Sequence, residues 1–440
     1  MKLLDKTMMG TYLRYVAPAS LTFALSAVYA IVDGLFVGHA IGDAGLAAVN
    51  LAYPLFALTI AIGTGVGIGG AVISSIYAGS GNETASRRAI GHTLTMLAII
   101  APLVMAFMFA FNEQLLYLMG ARDAVLENAR RYMDIITLGS IVPVISAGCL
   151  PLLRNKGRVF FAMVISMIGG TMNVVSNYVM VFRLGWGVTG SALSTVISQS
   201  FVLICCLIFF FLKDRQLKLA DFKPNVSLVK RSLRNGFAPF ALTLLPEVTT
   251  ISINISCGAY GGSVAQAAFG IISFTGVGVE WIIQGINDGS QPLISRFFGK
   301  GDGDMVGRLR MTNFLFAVGV GLLGAIALVV FRQQLVLIFG VSEEAGRIFK
   351  NGIALFAVSL PFYGLNHAIT SNFYAMECGR YANTLAVLEA LGIAGVAYLA
   401  PLAFGLSGCW ATVSIVQVCL LPISLGLLIR KLPTLSFTSK

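Results

Sequence analysis

Long apolar stretches, separated by short polar segments, dominate this chain of 440 residues. The hydrocarbon core of a bilayer is about 30 Å thick and is crossed by a helix of about 20 mostly apolar residues. The sequence therefore predicts an all-α integral membrane protein with twelve transmembrane helices in two six-helix bundles. The predicted spans are residues 12–38, 46–78, 91–111, 132–153, 159–182, 188–212, 236–258, 264–294, 312–331, 351–373, 382–404 and 408–430.

The polar segments between the spans are unequally charged on the two sides of the membrane. If the loops alternate, 23 of the 30 Lys and Arg residues fall on the side that carries both chain ends. The opposite side receives 7. Cytoplasmic loops carry the excess of Lys and Arg, so the pattern predicts that both termini are cytoplasmic and that the number of spans is even.

The two halves of the chain repeat each other at an offset of half the chain length. Six spans per half is an even number, which predicts parallel repeats that can rock against each other in alternating access. The predicted division is an N-lobe at 1–212, a basic inter-lobe loop at 213–235 and a C-lobe at 236–440. Matching positions include Gly79 with Gly299, Gly81 with Gly301, and Gly120 with Gly340, and with small insertions Gly157 with Gly379, Gly187 with Gly405, and Gln199 with Gln417.

The composition agrees with a membrane location and argues against several classes of function. Hydrophobic residues make up 57% of the chain and charged residues 11%, against roughly 25% charged in a soluble domain. The membrane topology accounts for the net charge of +11, so no nucleic-acid partner is expected. No phosphate-binding G-x-x-x-x-G-K-[ST] loop occurs, and the seven cysteines show no metal-binding spacing. We therefore expect neither an ATPase nor another enzyme, and no cofactor.

Carboxyl groups inside predicted spans are the first candidates for function. An ionisable residue at the centre of a membrane helix costs about 2.5–3.5 kcal/mol on insertion scales, so each one suggests a role in transport. A carboxyl group that has lost contact with water binds a proton more readily, as a proton carrier requires. The alternative for each is a structural hydrogen bond to a neighbouring helix. The five candidates are Asp33, Glu247, Glu280, Asp288 and Glu389.

Polar groups on other helices could complete a site with Asp33. Asn173 and Asn177 lie four residues apart and share one face of the fifth helix, and Thr195 lies on the sixth. Such oxygen ligands suit a small cation or a proton relay. Tyr29 lies one turn before Asp33 and favours an organic cation, although an ordinary packing role is an equal alternative.

Three further polar or aromatic residues, Asn50, Trp281 and Gln284, are candidates for substrate binding. In the tenth helix, Asn366 and His367 follow Pro361, where a kink would release backbone carbonyl groups. His367 is expected to form a structural hydrogen bond rather than to bind a ligand.

Several segments together resemble the multidrug and toxic compound extrusion (MATE) family over nearly the whole chain. In the first half they are V-D-G-L-F-V-G-H-A-I-G from Val32, G-L-A-A-V-N from Gly45 and G-T-G-V-G-I-G-G-A-V-I-S from Gly63. In the second half they are P-F-A-L-T-L-L-P-E from Pro239, Q-G-I-N-D-G-S-Q-P-L-I-S from Gln284 and F-G-K-G-D from Phe298.

This resemblance implies a drug/cation antiporter whose two lobes form a V-shaped cleft. The family's N-lobe cation site would comprise Asp33, Asn173, Asn177 and Thr195, but this chain has Asn177 where that pattern has Asp. The helix-seven Glu of the C-lobe matches Glu247. Glu280 and Asp288 are not general family features and would give the cleft an acidic lining for cationic substrates.

We therefore expect a monomeric multidrug antiporter in the bacterial cytoplasmic membrane. Protons or sodium ions would bind Asp33 or Glu247 and displace small lipophilic organic cations. A flippase for a lipid-linked saccharide or cell-wall precursor is the main alternative, and a basic cleft would favour it. A membrane enzyme lacks a metal cluster or nucleophile in the sequence, and a receptor would not need the buried carboxyl groups.

Overall fold

The computed structural model describes residues 4–213, 217–223 and 225–431, without the side chains of residues 30–35, 37–44, 46, 123 and 124. Every regular element in these ranges is a helix. The first half contains α1 (Lys6–Gly79), α2 (Glu83–Leu118), α3 (Asp123–Gly139), α4 (Ile141–Asn155), α5 (Val159–Asn177) and α6 (Gly187–Leu207). The second contains α7 (Val226–Gly299), α8 (Gly303–Val330), α9 (Arg332–Phe339), α10 (Glu343–Ala357), α11 (Ser359–Ala375), α12 (Gly379–Phe404) and α13 (Leu406–Lys431).

These helices agree with the predicted twelve-span fold. Within the described ranges, nine helices are long and apolar enough to cross a membrane, or ten if the bent pair α3 and α4 is one span. Both α1 and α7 contain 74 residues, about 110 Å of helix at 1.5 Å per residue, so each is long enough for two crossings. Gly262, at φ 62°, interrupts α7 between the predicted seventh and eighth spans. Short π-helical segments, Tyr178–Arg183 and Ile208–Lys213, extend α5 and α6.

Two predicted spans are interrupted, and a proline accounts for each interruption. The predicted span 132–153 consists of α3 and α4, which bend by 55°, and the predicted span 351–373 begins within α10 and continues into α11. Proline lacks an N–H group, and its ring clashes with the carbonyl four residues earlier. Pro143 and Pro361 lie four residues after Gly139 and Ala357, the last residues of α3 and α10.

The position of Pro361 also corrects the predicted kink in the tenth helix. Pro361 lies in the first turn of α11, where its missing N–H needs no partner within the helix. The break therefore precedes this proline, at Val358, and α11 continues past Asn366 and His367. Carbonyl groups just before the break accept hydroxyl groups instead: Ser414 donates to Leu355 O and Ser359 to Phe356 O.

The repeat is visible in the local structure of the turns. Gly81 and Gly301, half the chain length apart, adopt φ of 81° and 76°, a region that glycine enters without the steric cost of a Cβ. The residue after each glycine caps the next helix: Asn82 Oδ1 accepts from Ala85 N, and Asp302 Oδ1 accepts from Met305 N, both at 3.0 Å. Both halves therefore enter their next helix through the same turn.

One predicted match in the repeat is displaced by two residues. Gly157 (φ 77°) is followed after two residues by the start of α5. In the second half the corresponding turn residue is Glu377 (φ 59°), which is followed in the same way by α12. The structural equivalent of Gly157 is therefore Glu377, not Gly379, and the offset remains half the chain length.

The contacts divide the chain into two compact units. Unit 1 contains Met1–Ala27 and Leu245–Lys440, and unit 2 contains Val28–Leu244. Each unit has its own clusters of buried apolar side chains, which include Phe349, Ile353 and Trp410 in unit 1 and Leu97, Leu152 and Phe210 in unit 2. The predicted lobes at 1–212 and 236–440 follow chain order instead of contacts, and that division stays a prediction.

Glycines allow close helix contacts at equivalent places in the two units. In unit 2, a Cβ added to Gly65 would lie 2.8 Å from Gly236 O, and one added to Gly69 would overlap Ser232 O. In unit 1, a Cβ at Gly285 would lie 2.5 Å from Ser20 Cα, and one at Gly289 2.7 Å from Val16 Cα. Small residues four apart allow helix backbones to approach closely in membranes. Since Gly65 and Gly285, and Gly69 and Gly289, are each separated by half the chain length, the repeat encodes these two contacts.

The described part of the predicted inter-lobe loop is attached to α2 within unit 2. A short 3₁₀ helix at Leu219–Phe222 contains Asp221, which lies 3.7 Å from Arg87 on α2. Thr95 on α2 donates a 3.1 Å hydrogen bond to Phe222 O. The loop is also shorter than predicted, because α7 begins at Val226.

Candidate functional site

The predicted polar set in unit 2 assembles between α5 and α6. Asn173 Nδ2 donates to Thr195 Oγ1 at 3.4 Å. Asn177, one turn further along α5, is fully buried. The side chain of Asp33 lies outside the described part of the structure. The structure thus brings Asn173 to Thr195, and the role of Asp33 in this set stays a prediction.

Tyr29 and Asn50 also belong to unit 2. The Tyr29 hydroxyl lies 3.5 Å from Met167 O and 3.3 Å from Thr171 Oγ1, both on α5. The tyrosine ring packs so closely on Gly170 that a Cβ there would overlap it. Tyr29 therefore positions α1 against α5, whereas Asn50 is exposed. Substrate binding by either residue remains a prediction.

The remaining predicted carboxyl groups lie in unit 1 and differ in their surroundings. Glu247 is half-buried and forms no hydrogen bond or ion pair with the described residues. Glu280 and Asp288 are each 5% exposed. Gln284 is half-buried and donates to Asp288 Oδ1 at 2.8 Å, and Trp281 is also half-buried.

These residues belong to a polar face that runs along the second part of α7. Its members recur at helical spacing, so they point in similar directions. Neighbouring elements of unit 1 satisfy several of them: Asn313 Nδ2 donates to Asn287 Oδ1 at 3.1 Å, and Ser295 Oγ donates to Ala375 O at 2.7 Å. The members of this polar face are Glu280, Gln284, Asn287, Asp288, Gln291 and Ser295.

A second polar cluster lies between α11, α12 and α13. His367 Nε2 lies 2.9 Å from Glu389 Oε1, and each side chain is 1% exposed. Gln417 Nε2 donates to the same Glu389 oxygen. Asn366 Nδ2 donates to Gln417 Oε1 at 2.8 Å, and Ser424 Oγ donates to Asn366 Oδ1 at 2.7 Å. This chain of hydrogen bonds, the Glu389 cluster below, joins three helices inside unit 1.

Tyr363, also on α11, packs against the Glu389 cluster. Its ring stacks on His367 with centroids 3.7 Å apart. Tyr363 therefore packs against the imidazole of the Glu389 cluster in the interior of unit 1.

The Glu389 cluster was only partly predictable. The sequence suggested a structural hydrogen bond for His367, and the structure shows its contact with Glu389. The partners Gln417 and Ser424 were missed as site residues. The available signal was the repeat, because Gln417 matches Gln199, which accepts a 2.9 Å hydrogen bond from Ser146 in unit 2.

Comparison with known proteins finds similarity to one protein family over most of the chain. The family model MatE matches residues 18–179 and 239–398, one segment in each half. The multidrug export protein MepA of Staphylococcus saprophyticus is 26% identical over 428 residues, covering 93% of this chain and 91% of that protein. MepA of Staphylococcus aureus strain MRSA252 is 24% identical over 420 residues, with the same coverage.

Solved structures share the fold at low sequence identity. A MOP superfamily transporter from Pyrococcus furiosus aligns with TM-score 0.91 and 20% identity, over 97% of this chain and 96% of that one. A multidrug resistance MATE family transporter in an outward-facing conformation aligns with TM-score 0.90 and 20% identity, over 96% of each chain. These two structures confirm the predicted fold.

Proposed function

Because the chain belongs to the MatE family, it is a multi-pass membrane transporter, and we propose that it exports small lipophilic organic cations in exchange for protons or sodium ions. The observation that carries this proposal is the similarity to multidrug export proteins over 93% of the chain. The acidic character of the polar face of α7, with Glu280 and Asp288 both buried, supports a cationic substrate. The excess of Lys and Arg on one side supports cytoplasmic termini in the cell membrane.

The coupling ion is proposed to bind at two places. In unit 2 the proposed binding residues are Asp33, Asn173, Asn177 and Thr195. The contact between Asn173 and Thr195 supports this set. In unit 1 it is Glu247, a half-buried carboxyl group without a hydrogen-bond partner among the described residues. Binding of the ion and of the organic cation is mutually exclusive, so entry of one drives release of the other. A monomer is sufficient for this cycle.

The direct test is transport of a lipophilic dye cation by the purified protein in vesicles. A proton gradient and a sodium gradient are imposed separately, at the same membrane potential. Transport driven by either gradient supports the proposed antiport. Absence of transport under both gradients would contradict it and would favour the flippase alternative.

Neutralising the coupling carboxyl groups should impair transport. We expect Asp33→Asn and Glu247→Gln each to lower the gradient-driven rate at least about tenfold, equivalent to about 1.4 kcal/mol, because an amide cannot carry the coupled charge. The matched control is Glu344→Gln, an exposed carboxyl group on α10. A variant that transports at the rate of the unmodified protein would remove that residue from the proposal.

Asn177 offers a test of ion selectivity. Asn177→Asp adds a carboxylate one turn from Asn173, and hard oxygen ligands with negative charge favour small cations such as sodium. We expect this variant to respond more strongly to a sodium gradient, without an imposed proton gradient, than the unmodified protein. The control is Asn351→Asp on the exposed face of α10. An unchanged sodium response would show that residue 177 does not contact the coupling ion.

A further inference from the structure

Arg310 is a buried cation without a polar partner. It lies on α8 and is 7% exposed, and it makes no hydrogen bond, ion pair or ring contact with the part of the chain that the structure describes. Arg308, two residues earlier, is instead paired with Asp304 at 2.6 Å. A guanidinium group keeps its charge in proteins, so Arg310 cannot become neutral by losing a proton. A buried charge of this kind needs an anion to compensate it.

The repeat shows that packing does not require a charge at this position. The helices α2 and α8 begin at Glu83 and Gly303, half the chain length apart, so the counterpart of Arg310 is Ile90. Ile90 is 1% exposed and belongs to a cluster of buried apolar side chains in unit 2. An apolar side chain therefore fills the equivalent position in the first half of the chain. A charge inside a membrane helix that packing does not need indicates a binding role.

A second donor without a partner lies close to Arg310. Arg310 precedes Asn313 by three residues, so the two side chains are neighbours on one face of α8. Asn313 Nδ2 donates to Asn287 Oδ1 at 3.1 Å, and Asn287 Nδ2 is buried without a hydrogen-bond partner among the described residues. Asp288, the next residue on α7, accepts from Gln284, and Arg310 forms no ion pair with it. The groups left without partners here are both donors, which suits an anion.

The depth of Arg310 in the membrane indicates which anion it meets. The helix α8 has 28 residues, about 42 Å at 1.5 Å per residue, so a hydrocarbon core of about 30 Å leaves about 6 Å at each end. Arg310 lies about 10 Å from the start of α8. An arginine side chain at this depth can extend to the level of the lipid headgroups. That end of α8 is on the side predicted to be cytoplasmic, where anionic phospholipids are abundant.

We propose that Arg310 binds a phosphate group in unit 1, supplied by the headgroup of a phospholipid or by free phosphate. The planar guanidinium group donates two parallel hydrogen bonds to two phosphate oxygens, and the Asn287 amide is available as a further donor. The bound anion compensates the buried charge. This site does not depend on the proposed antiport, because neither Arg310 nor Asn287 is among the residues proposed to bind the coupling ion.

Native mass spectrometry of the purified protein in detergent tests the lipid headgroup as the ligand. The probes are phosphatidylglycerol and a diacylglycerol with the same chains, which lacks the phosphate. We expect Arg310→Met to bind phosphatidylglycerol at least about tenfold more weakly than the unmodified protein, because a charge-assisted bidentate contact is lost. Diacylglycerol should bind both proteins equally. The matched control is Arg380→Met, an exposed arginine at the start of α12 in the same unit, which should bind phosphatidylglycerol as the unmodified protein does.

A second measurement tests free phosphate as the ligand. The unfolding temperature is followed as inorganic phosphate replaces chloride at constant ionic strength. A rise that is present in the unmodified protein and in Arg380→Met, but absent in Arg310→Met, assigns the site to free phosphate. A defect confined to phosphatidylglycerol assigns it to a lipid headgroup. If Arg310→Met and Arg380→Met respond alike to both probes, the proposal is overturned.

A charge-retaining variant keeps the test decisive if Arg310→Met does not fold. Arg310→Lys preserves the positive charge but lacks the planar fork that binds two phosphate oxygens at once. It should bind the phosphate-containing probe more weakly than the unmodified protein, whereas Arg380→Lys should not. Equal affinities of these two lysine variants would also overturn the proposal.

Discussion

Replacement of Glu389 by alanine is expected to reduce the free energy of unfolding by about 3 kcal/mol, because it leaves two buried polar groups without their hydrogen-bond partner. The substitution removes the hydrogen-bond partner of two groups, His367 Nε2 and Gln417 Nε2. Both groups would then be buried without this partner, and each such group costs about 1–3 kcal/mol. Equilibrium unfolding in mixed micelles of a mild detergent and sodium dodecyl sulfate measures the difference.

A conservative variant separates the lost hydrogen bonds from other effects. Glu389→Gln retains a carbonyl oxygen that can accept from Gln417, so it should lose much less stability than Glu389→Ala. The exposed Glu344→Ala on α10 serves as the surface control and should change stability little. Equal losses from Glu389→Ala and Glu344→Ala would show that the Glu389 cluster does not stabilise unit 1.

The second large effect is expected at the glycine contact between α1 and α7 in unit 2. A Cβ on Gly236 would overlap the carbonyl oxygen of Gly65, and both atoms involved are fixed by helical backbone. Overpacking of a closely packed contact typically costs about 1–3 kcal/mol. We therefore expect Gly236→Ala to lower the free energy of unfolding by about 2 kcal/mol, although alanine favours helix more than glycine does. The same unfolding assay measures the effect.

The repeat supplies a second test site and a control. Gly285→Ala, at the equivalent contact in unit 1, should destabilise for the same reason, since its Cβ would lie 2.5 Å from Ser20 Cα. Gly10→Ala is the matched control, because this helical glycine has no atom within 4 Å of an added Cβ. It should be neutral or stabilising by up to about 1 kcal/mol. If all three variants behave alike, close backbone contact is not the reason for these glycines.

The two compact units do not coincide with the two halves of the chain. Connectivity suggested that each half of the chain forms one lobe. The contacts instead group Met1–Ala27 with the second half, and the first part of α7, to Leu244, with the first half. Each long helix, α1 and α7, therefore contributes to both units. The division into lobes by chain order stays a prediction.

The sequence shows where the prolines and glycines lie, but their effect on helix ends and turns depends on the surrounding structure. Pro361 was expected to kink a helix near His367, whereas it begins α11 and ends α10 four residues earlier. The distinction between a proline within a helix and one in its first turn depends on where the preceding helix stops. The predicted match of Gly157 with Gly379 likewise depended on residue identity, and backbone conformation shows Glu377 as the equivalent.

The sequence by itself determined the membrane class, the twelve spans, the repeat and the family, because each of these depends on patterns that are local or periodic along the chain. It also identified every acidic residue of the buried sites, since a charge inside an apolar span is conspicuous. The tertiary structure decided which of these residues meet. His367 and Glu389 lie on different helices, and helix packing brings them to 2.9 Å from each other. Gln417 and Ser424 are ordinary polar residues until that packing turns them toward Glu389 and Asn366, because the cost of an unsatisfied group arises only when the fold removes water from it.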